Sequence, residues 1–297
     1  MKAREEGFLL LTSQLGDPNR RPLSVAQLRT LAQRVRAAEP VAQDRELESR
    51  DILALGYSRE MAERIRGLLD DTVLLQHYLR RGERSGCQPI SRVSAQYPCR
   101  LIERLGLDAP GCLWIRGPLS LLERPAVALV GSREIEGENL AFARELGRQA
   151  ARQGYVLVSG NARGADRAAQ ESCLAAGGDV IAVVADELER HSPDPHILYI
   201  SEDGFDLPFS AQRALSRNRL IHSLGLGTFV ARCDYQRGGT WDGTVKNLRW
   251  GWSPVFCFAD GSAACHLLEQ MGAEAVSMEQ LNKIQPILCG KVGLFDQ

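Results

Sequence analysis

AVALVGSRE (126–134) and YVLVSGNARGAD (155–166) are the two stretches on which the fold is decided. Each opens on a short continuous apolar run, the pattern of a strand buried on both faces. Each run ends in a polar, glycine-bearing turn with a helix behind it. The first helix is expected over Glu138 to Gln153, with Leu140, Ala143, Gly147 and Ala150 on one side and Arg144, Arg148 and Arg152 on another. The second is expected from Ala165 to Ala176. Its inner face (Ala165, Ala168, Ala169, Ser172, Cys173, Ala176) is small enough to lie close against a sheet, and Gly177-Gly178 can end it. VIAVV (180–184), GTFVA (227–231) and PVFCFA (254–259) repeat the strand pattern, with helices around 240–250 and 262–271. This alternation predicts an α/β fold, an extended Rossmann-like parallel sheet with helices on both faces.

Residues 1–85 read as a small helical module in front of a Rossmann-like domain at 86–297. Ser24 precedes Val25, Leu28, Leu31, Ala32 and Val35 at helical spacing, and Gln27 completes a capping box. A second helix should end near Gly56. Ser58 can cap a third carrying Met61, Ala62, Ile65, Leu68 and Leu69, and residues 71–81 continue the pattern with Leu74, Leu75, Tyr78 and Leu79. RGERSG (81–86) looks like the exit. The module lacks the Gly-x-Gly turn of a DNA-binding helix-hairpin, so no activity is assigned to it.

The chain has 297 residues, 44% apolar and 25% charged, an ordinary globular composition. No run of eighteen apolar residues exists and the N-terminal apolar stretch is too short for a secretory signal, so a cytoplasmic location and no membrane partner are expected. Eight cysteines (87, 99, 112, 173, 233, 257, 265 and 289) are scattered without ligand-like pairing, and no metal is expected. The net charge of −1 supplies no global basic field for nucleic acid. Of 36 basic side chains only Lys2, Lys246, Lys283 and Lys291 are lysine. A GC-rich genome produces that bias without functional meaning, whereas guanidinium forks suit bidentate phosphate contacts.

The polar loops all fall where a strand ends and a helix starts, the place where open α/β sheets bind ligands and where helix N-termini attract anions. VGSRE contributes Gly131, Ser132 and Arg133. SGNARGAD contributes Ser159, Gly160, Asn161, Arg163, Gly164 and Asp166. It is neither the G-x-G-x-x-G fingerprint nor a P-loop, and Asp166 also suits the first helical turn as a plain charge. ALSRNRLIHSLG (214–225) shows no clean apolar stripe from Ala211 to Leu224, so its helix is expected to start near Ser216. Arg217, Asn218 and Arg219 would then lie in the first turn, where cations call for a nearby anion or for solvent. RGGTWDGT (237–244) adds Gly238, Gly239 and Thr240. Trp241 either stacks on a base or packs in the core, and Asp242 can accept from a hydroxyl.

Taken in order, VALVGSR (127–133), SGNARGAD (159–166) and SRNRLIHSLG (216–225) resemble the DNA-processing protein A (DprA/Smf) family, as does the lead-in YPCRLIERLGLDAPGCLWIRGPLSLL (97–122). The resemblance covers about residues 90–275. It implies a non-catalytic pocket that grips phosphates of single-stranded DNA, a homodimer, and delivery of the strand to a RecA-type recombinase during natural transformation. It implies no cofactor. Three departures stand against it. GGTWDGT (238–244) replaces the usual Ser-Gly-Ser-Leu-Ile-Thr stretch, VVADELERHSPDP (183–195) lacks the Gly-Cys-Gly-Leu-Asp turn, and no winged-helix module is expected after PVFCFA. Two other readings stay open. One is a sensor of a small nucleotide using Trp241 and Asp242. The other is an enzyme like the related phosphoribohydrolases, with Asp242 or Asp166 as its carboxylate. No Ser/His/Asp constellation supports catalysis, and His222 reads as a surface or core residue.

Overall fold

A computed structural model of the chain describes residues 3–38 and 48–289; Lys2, Lys291 and residues 39–47 of the expected helical module lie outside them. The N-terminal helices are α1 (Ala3–Thr12), α2 (Val25–Ala37), α3 (Ser49–Ala54), α4 (Arg59–Asp70) and α5 (Thr72–Arg84). The capping box of Ser24 and Gln27 forms at α2, and the Ser58 hydroxyl accepts from the Met61 amide at α4. Leu23, Ile52, Ala62, Ile65 and Leu68 make a small core among these helices. The inner faces of α1 and α5 go elsewhere. Leu9, Leu10, Leu75 and Tyr78 join the core of the sheet, where the Tyr78 ring lies 5.1 Å from Trp114 and 4.5 Å from Phe205.

Nine strands follow: β1 (Gln88–Ser91), β2 (Cys112–Arg116), β3 (Ala126–Val130), β4 (Val156–Ser159), β5 (Val180–Val183), β6 (Ile197–Ser201), β7 (Thr228–Val230), β8 (Val255–Phe258) and β9 (Glu274–Val276). They form one sheet in the order β1-β2-β6-β5-β4-β3-β7-β8-β9. From β6 to β9 every pairing is parallel, while β1 and β2 add an antiparallel edge. The chain steps outward from β3 through β4, β5 and β6. It then returns to lay β7 on the other side of β3 and continues to β8 and β9. The order therefore reverses between β3 and β7, where open sheets leave a crevice at their carboxyl ends.

The helices between and after the strands are α6 (Cys99–Leu105), α7 (Gly137–Arg152), α8 (Ala165–Ala175), α9 (Ala211–Ser216), α10 (Asn218–Leu224), α11 (Gly238–Trp250), α12 (Ala263–Gln270) and α13 (Ile284–Cys289). Successive strand side chains point to opposite faces, which divides the apolar interior in two. Val127 and Leu129 pack with Phe142, Leu146 and Ala150 of α7 and with Ala165, Ala169 and Cys173 of α8. Ala126, Ala128 and Val130 pack on the other face with Leu101 and Leu105 of α6, Leu220 and Ile221 of α10, and Leu268 of α12. Each large side chain buried this way contributes about 1.5–3 kcal/mol. The small face of α8 lets it meet α7 backbone to backbone, and a Cβ at Gly147 would run into the Ala169 carbonyl.

The sheet is wider than the sequence reading allowed, because β1, β2, β6 and β9 were not anticipated. Residues 211–216 also correct the expectation of a helix starting near Ser216. They form α9, capped by the Ser210 hydroxyl, which accepts from the Arg213 amide at 3.1 Å. This helix needs no apolar stripe, because Arg213 anchors it. The guanidinium donates to the Ala185 and Leu207 carbonyls at 2.9 and 2.8 Å and pairs with Asp203 at 3.0 Å. Among the described residues no helix is long and apolar enough to cross a membrane, and no cluster of His, Cys, Asp or Glu could hold a metal ion.

Candidate phosphate-binding cleft

The turns after β3, β4 and β7 and the break between α9 and α10 converge on the switch point. They line a cleft of about 600 Å³, joined to a side chamber of about 250 Å³ through Arg133, Ala162, Arg163 and Arg217. Of the expected residues, Gly131, Ser132, Arg133, Arg163, Asp166, Arg217, Asn218, Gly238, Gly239 and Thr240 line the main cleft, and Gly160 and Asn161 line the side chamber.

The turn at 160–164 is organised from inside. Asp166 is buried, and its Oδ2 accepts from the Gly160 and Ala162 amides at 3.0 and 3.3 Å. Asn161 adopts the left-handed conformation (φ 56°). Gly164, at φ 84°, passes so close beneath Ser132 and Arg133 that a Cβ there would strike both carbonyls. The Ala165 amide donates to the Ser132 carbonyl at 3.2 Å, and the Ser132 amide donates to the Arg232 carbonyl at 2.9 Å. These amides hold the loops to one another. Burial raises the Asp166 pKa above its ordinary value, with Arg217 and the two amides pulling against it.

Arg217 is the unusual group. It is only 8% exposed, and its guanidinium lies across the face of Gly160, in the space where any side chain would go. Among the described residues its Nε has no hydrogen-bond partner. Burial lowers its pKa, the Asp166 charge opposes that shift, and the nearby Arg133 adds to it. Asp166 is the anion already beside this cation, and the unsatisfied N–H and the second cation leave room for a further one. Arg133 reaches over the Phe209 ring at 5.9 Å, while the exposed Arg163 lies 3.7 Å from an even more exposed Glu134, a pairing of little energetic weight.

On the far wall α11 begins without a side-chain cap, and Gly238, Gly239 and Thr240 of its first turn line the cleft. Arg237, the residue before it, also lines the cleft. The sequence reading passed over Arg237, although a cation set just before two glycines at a strand–helix junction was a usable signal. The Thr240 hydroxyl is committed, donating to the Gly131 carbonyl at 3.0 Å, and Asn218 Nδ2 donates to the Gly239 carbonyl at 3.1 Å. The first ties the β3 loop to the start of α11, and the second ties α10 to it. Glu134, Asp166 and Asp234 also line the cleft, so its positive character rests on the individual arginines.

Several expected residues are placed elsewhere. Ser159 is fully buried and accepts from Gln170 Nε2. Arg219 turns away and pairs with Glu202, a carboxylate whose pKa burial raises and Arg219 lowers. Trp241 packs on the apolar core, and Asp242 pairs with Lys246 at 2.7 Å. Neither lines the cleft. His222, one residue the sequence left aside, is 1% exposed and does line it.

The model of the family described as DNA recombination-mediator protein A matches residues 88–285, about two thirds of the chain. DNA processing protein DprA of Streptococcus pneumoniae is 33% identical over 193 residues, covering 58% of this chain and 66% of that protein. Protein Smf of Escherichia coli is 30% identical over 153 residues, 48% of this chain and 40% of Smf. The chain thus spans between 40% and 66% of the length of these relatives. The X-ray structure of the S. pneumoniae DprA matches with a TM-score of 0.72 at 26% identity, covering 96% of this chain and 98% of that one. DNA processing protein A from Helicobacter pylori, solved for its single-stranded DNA binding mode, matches in fold with a TM-score of 0.54 at 22% identity over 70% of this chain and 96% of that one. The chain belongs to the DNA recombination-mediator protein A family.

Proposed function

We propose that this protein binds single-stranded DNA without catalysing a reaction on it, and that it serves DNA processing and recombination in natural transformation. Arg133, Arg163, Arg217 and Arg237 hold successive phosphates, with the first turn of α11 as a further donor. The buried Arg217 guanidinium, with its unpartnered Nε beside Arg133, carries this reading. Family membership and the single-stranded DNA binding of the H. pylori protein support it. A homodimer would double the arginine surface and offset the near-zero net charge, and a RecA-type recombinase is the expected recipient of the strand.

A small nucleotide is the second reading, favoured by a cleft volume within the ordinary range for small ligands. The two separate on length and salt. Fluorescence anisotropy of labelled oligo(dT) across a salt series should give tight binding that weakens with salt, with a slope of about −0.7 per phosphate contact. Binding of a mononucleotide with no gain from a longer strand would overturn the DNA reading.

A further inference from the structure

The cleft is graded from charged to apolar. Its rim carries the exposed guanidinium groups of Arg133, Arg163 and Arg237, while Val130, Ile221 and Cys233, all buried, form its floor together with His222. A phosphate driven onto that floor would shed its water at a large cost against apolar atoms, whereas the neutral ring of a nucleobase sheds its water at a far smaller one.

The protonation of His222 follows from its partners. Asn247 Oδ1 accepts from the Ser253 amide at 2.8 Å, which fixes Nδ2 as the donor end of that side chain. Nδ2 lies 3.1 Å from Ser253 Oγ and 3.2 Å from His222 Nδ1. The Thr228 hydroxyl, 3.1 Å from the same Nδ1, can donate to it as well, and an amide nitrogen only donates, so Nδ1 is the acceptor and the ring proton sits on Nε2. Burial pushes the His222 pKa down to about 3, and the ring stays neutral. Among the described residues Nε2 has no hydrogen-bond partner, and it faces Gly243, where a Cβ would lie 3.2 Å from it. The missing side chain at 243 leaves that N–H open.

We propose that His222 is a neutral hydrogen-bond donor, through Nε2–H, to an acceptor atom of a nucleobase seated on the apolar floor while the rim arginines hold the flanking phosphates. The site takes a nucleotide whole, base inward. This assignment rests on the nucleic-acid reading of the cleft.

The test compares oligo(dT) with an abasic strand of equal length by anisotropy. Wild type should prefer oligo(dT) by about tenfold, the order one neutral hydrogen bond supplies. His222→Phe should lose that preference while binding the abasic strand as before and with an unchanged salt slope, and Gly243→Ala, whose methyl group covers Nε2 and also presses on Asn218, should lose the preference with the histidine kept. Equal affinity of wild type for both strands, or variants that weaken both alike, overturns the proposal. Should neither strand bind wild type, the single-strand reading falls, and spectra of the ¹⁵N-histidine-labelled protein decide His222 by themselves. A shift of its Nε2–H signal with thymidine 5′-monophosphate but not with 2-deoxyribose 5-phosphate upholds the donor. No shift with the nucleotide overturns it.

Discussion

The Arg217 guanidinium occupies the space that a side chain at Gly160 would fill. Two segments more than fifty residues apart are thus interlocked, and the glycine exists there for the arginine. Gly160→Ala should push Arg217 off the floor of the turn, lowering stability by about 1–3 kcal/mol, as overpacking of an interior does. Affinity for oligo(dT) should fall with it. Urea denaturation and anisotropy read the two effects, and an unchanged protein would mean that Arg217 rests elsewhere.

The arginines divide into those that face the cleft and those already committed. Arg163→Ala should reduce the salt slope by about 0.7, one phosphate contact on a single strand, and leave stability near wild type. Arg219→Ala should do the reverse. It strands the buried Glu202 carboxylate, costs about 3–5 kcal/mol and leaves the slope alone. A slope change in the Arg219 variant would return that side chain to the cleft.

Acid should weaken the fold through His222. Its pKa lies near 3 when folded, against an ordinary 6.5, because burial opposes the charged ring. Between those values the unfolded chain binds a proton that the folded chain refuses. The contribution is complete above pH 6.5 and declines by up to about 1.4 kcal/mol per pH unit below it. His222→Gln should flatten that part of the profile in urea titrations at pH 7, 5.5 and 4.5. Parallel profiles would show that the ring is charged within the fold.

Gly147→Ala places a methyl group against the Ala169 carbonyl where α7 meets α8. Stability should drop by about 1–3 kcal/mol, seen as a lower urea midpoint. The salt slope of any binding should stay as it was, because that contact lies away from the cleft.

The strands legible in the sequence were those buried on both faces. AVALV reads as a strand because all five of its residues are interior. β1 is four residues with a proline, β9 is three residues starting at Glu274, and β2 sits inside a lead-in read only for its likeness to a family. β6 follows the polar SPDP segment, and its short run Ile197 to Ile200 is buried on one face only, with Ile197 and Tyr199 partly exposed. At the cleft, residue type and position were readable, and Arg133, Arg163 and Arg217 came from that alone. Direction was not. Ser159 and Arg219 belong to the right loops and point inward to Gln170 and Glu202, partners distant in sequence. His222 was read as a surface or core residue, because its tautomer depends on Asn247 of α11.

Asp166 holds the amides of Gly160 and Ala162 for the protein's own use. A phosphate cradle made of backbone looks the same whatever side chains surround it, and no point mutation can dial it up or down. In the proposed function the grip passes to guanidinium groups, of which the exposed Arg133, Arg163 and Arg237 stand outside the packed frame. Each can be altered by one codon, so the strength of the hold can drift through evolution in small steps while the fold beneath keeps its shape.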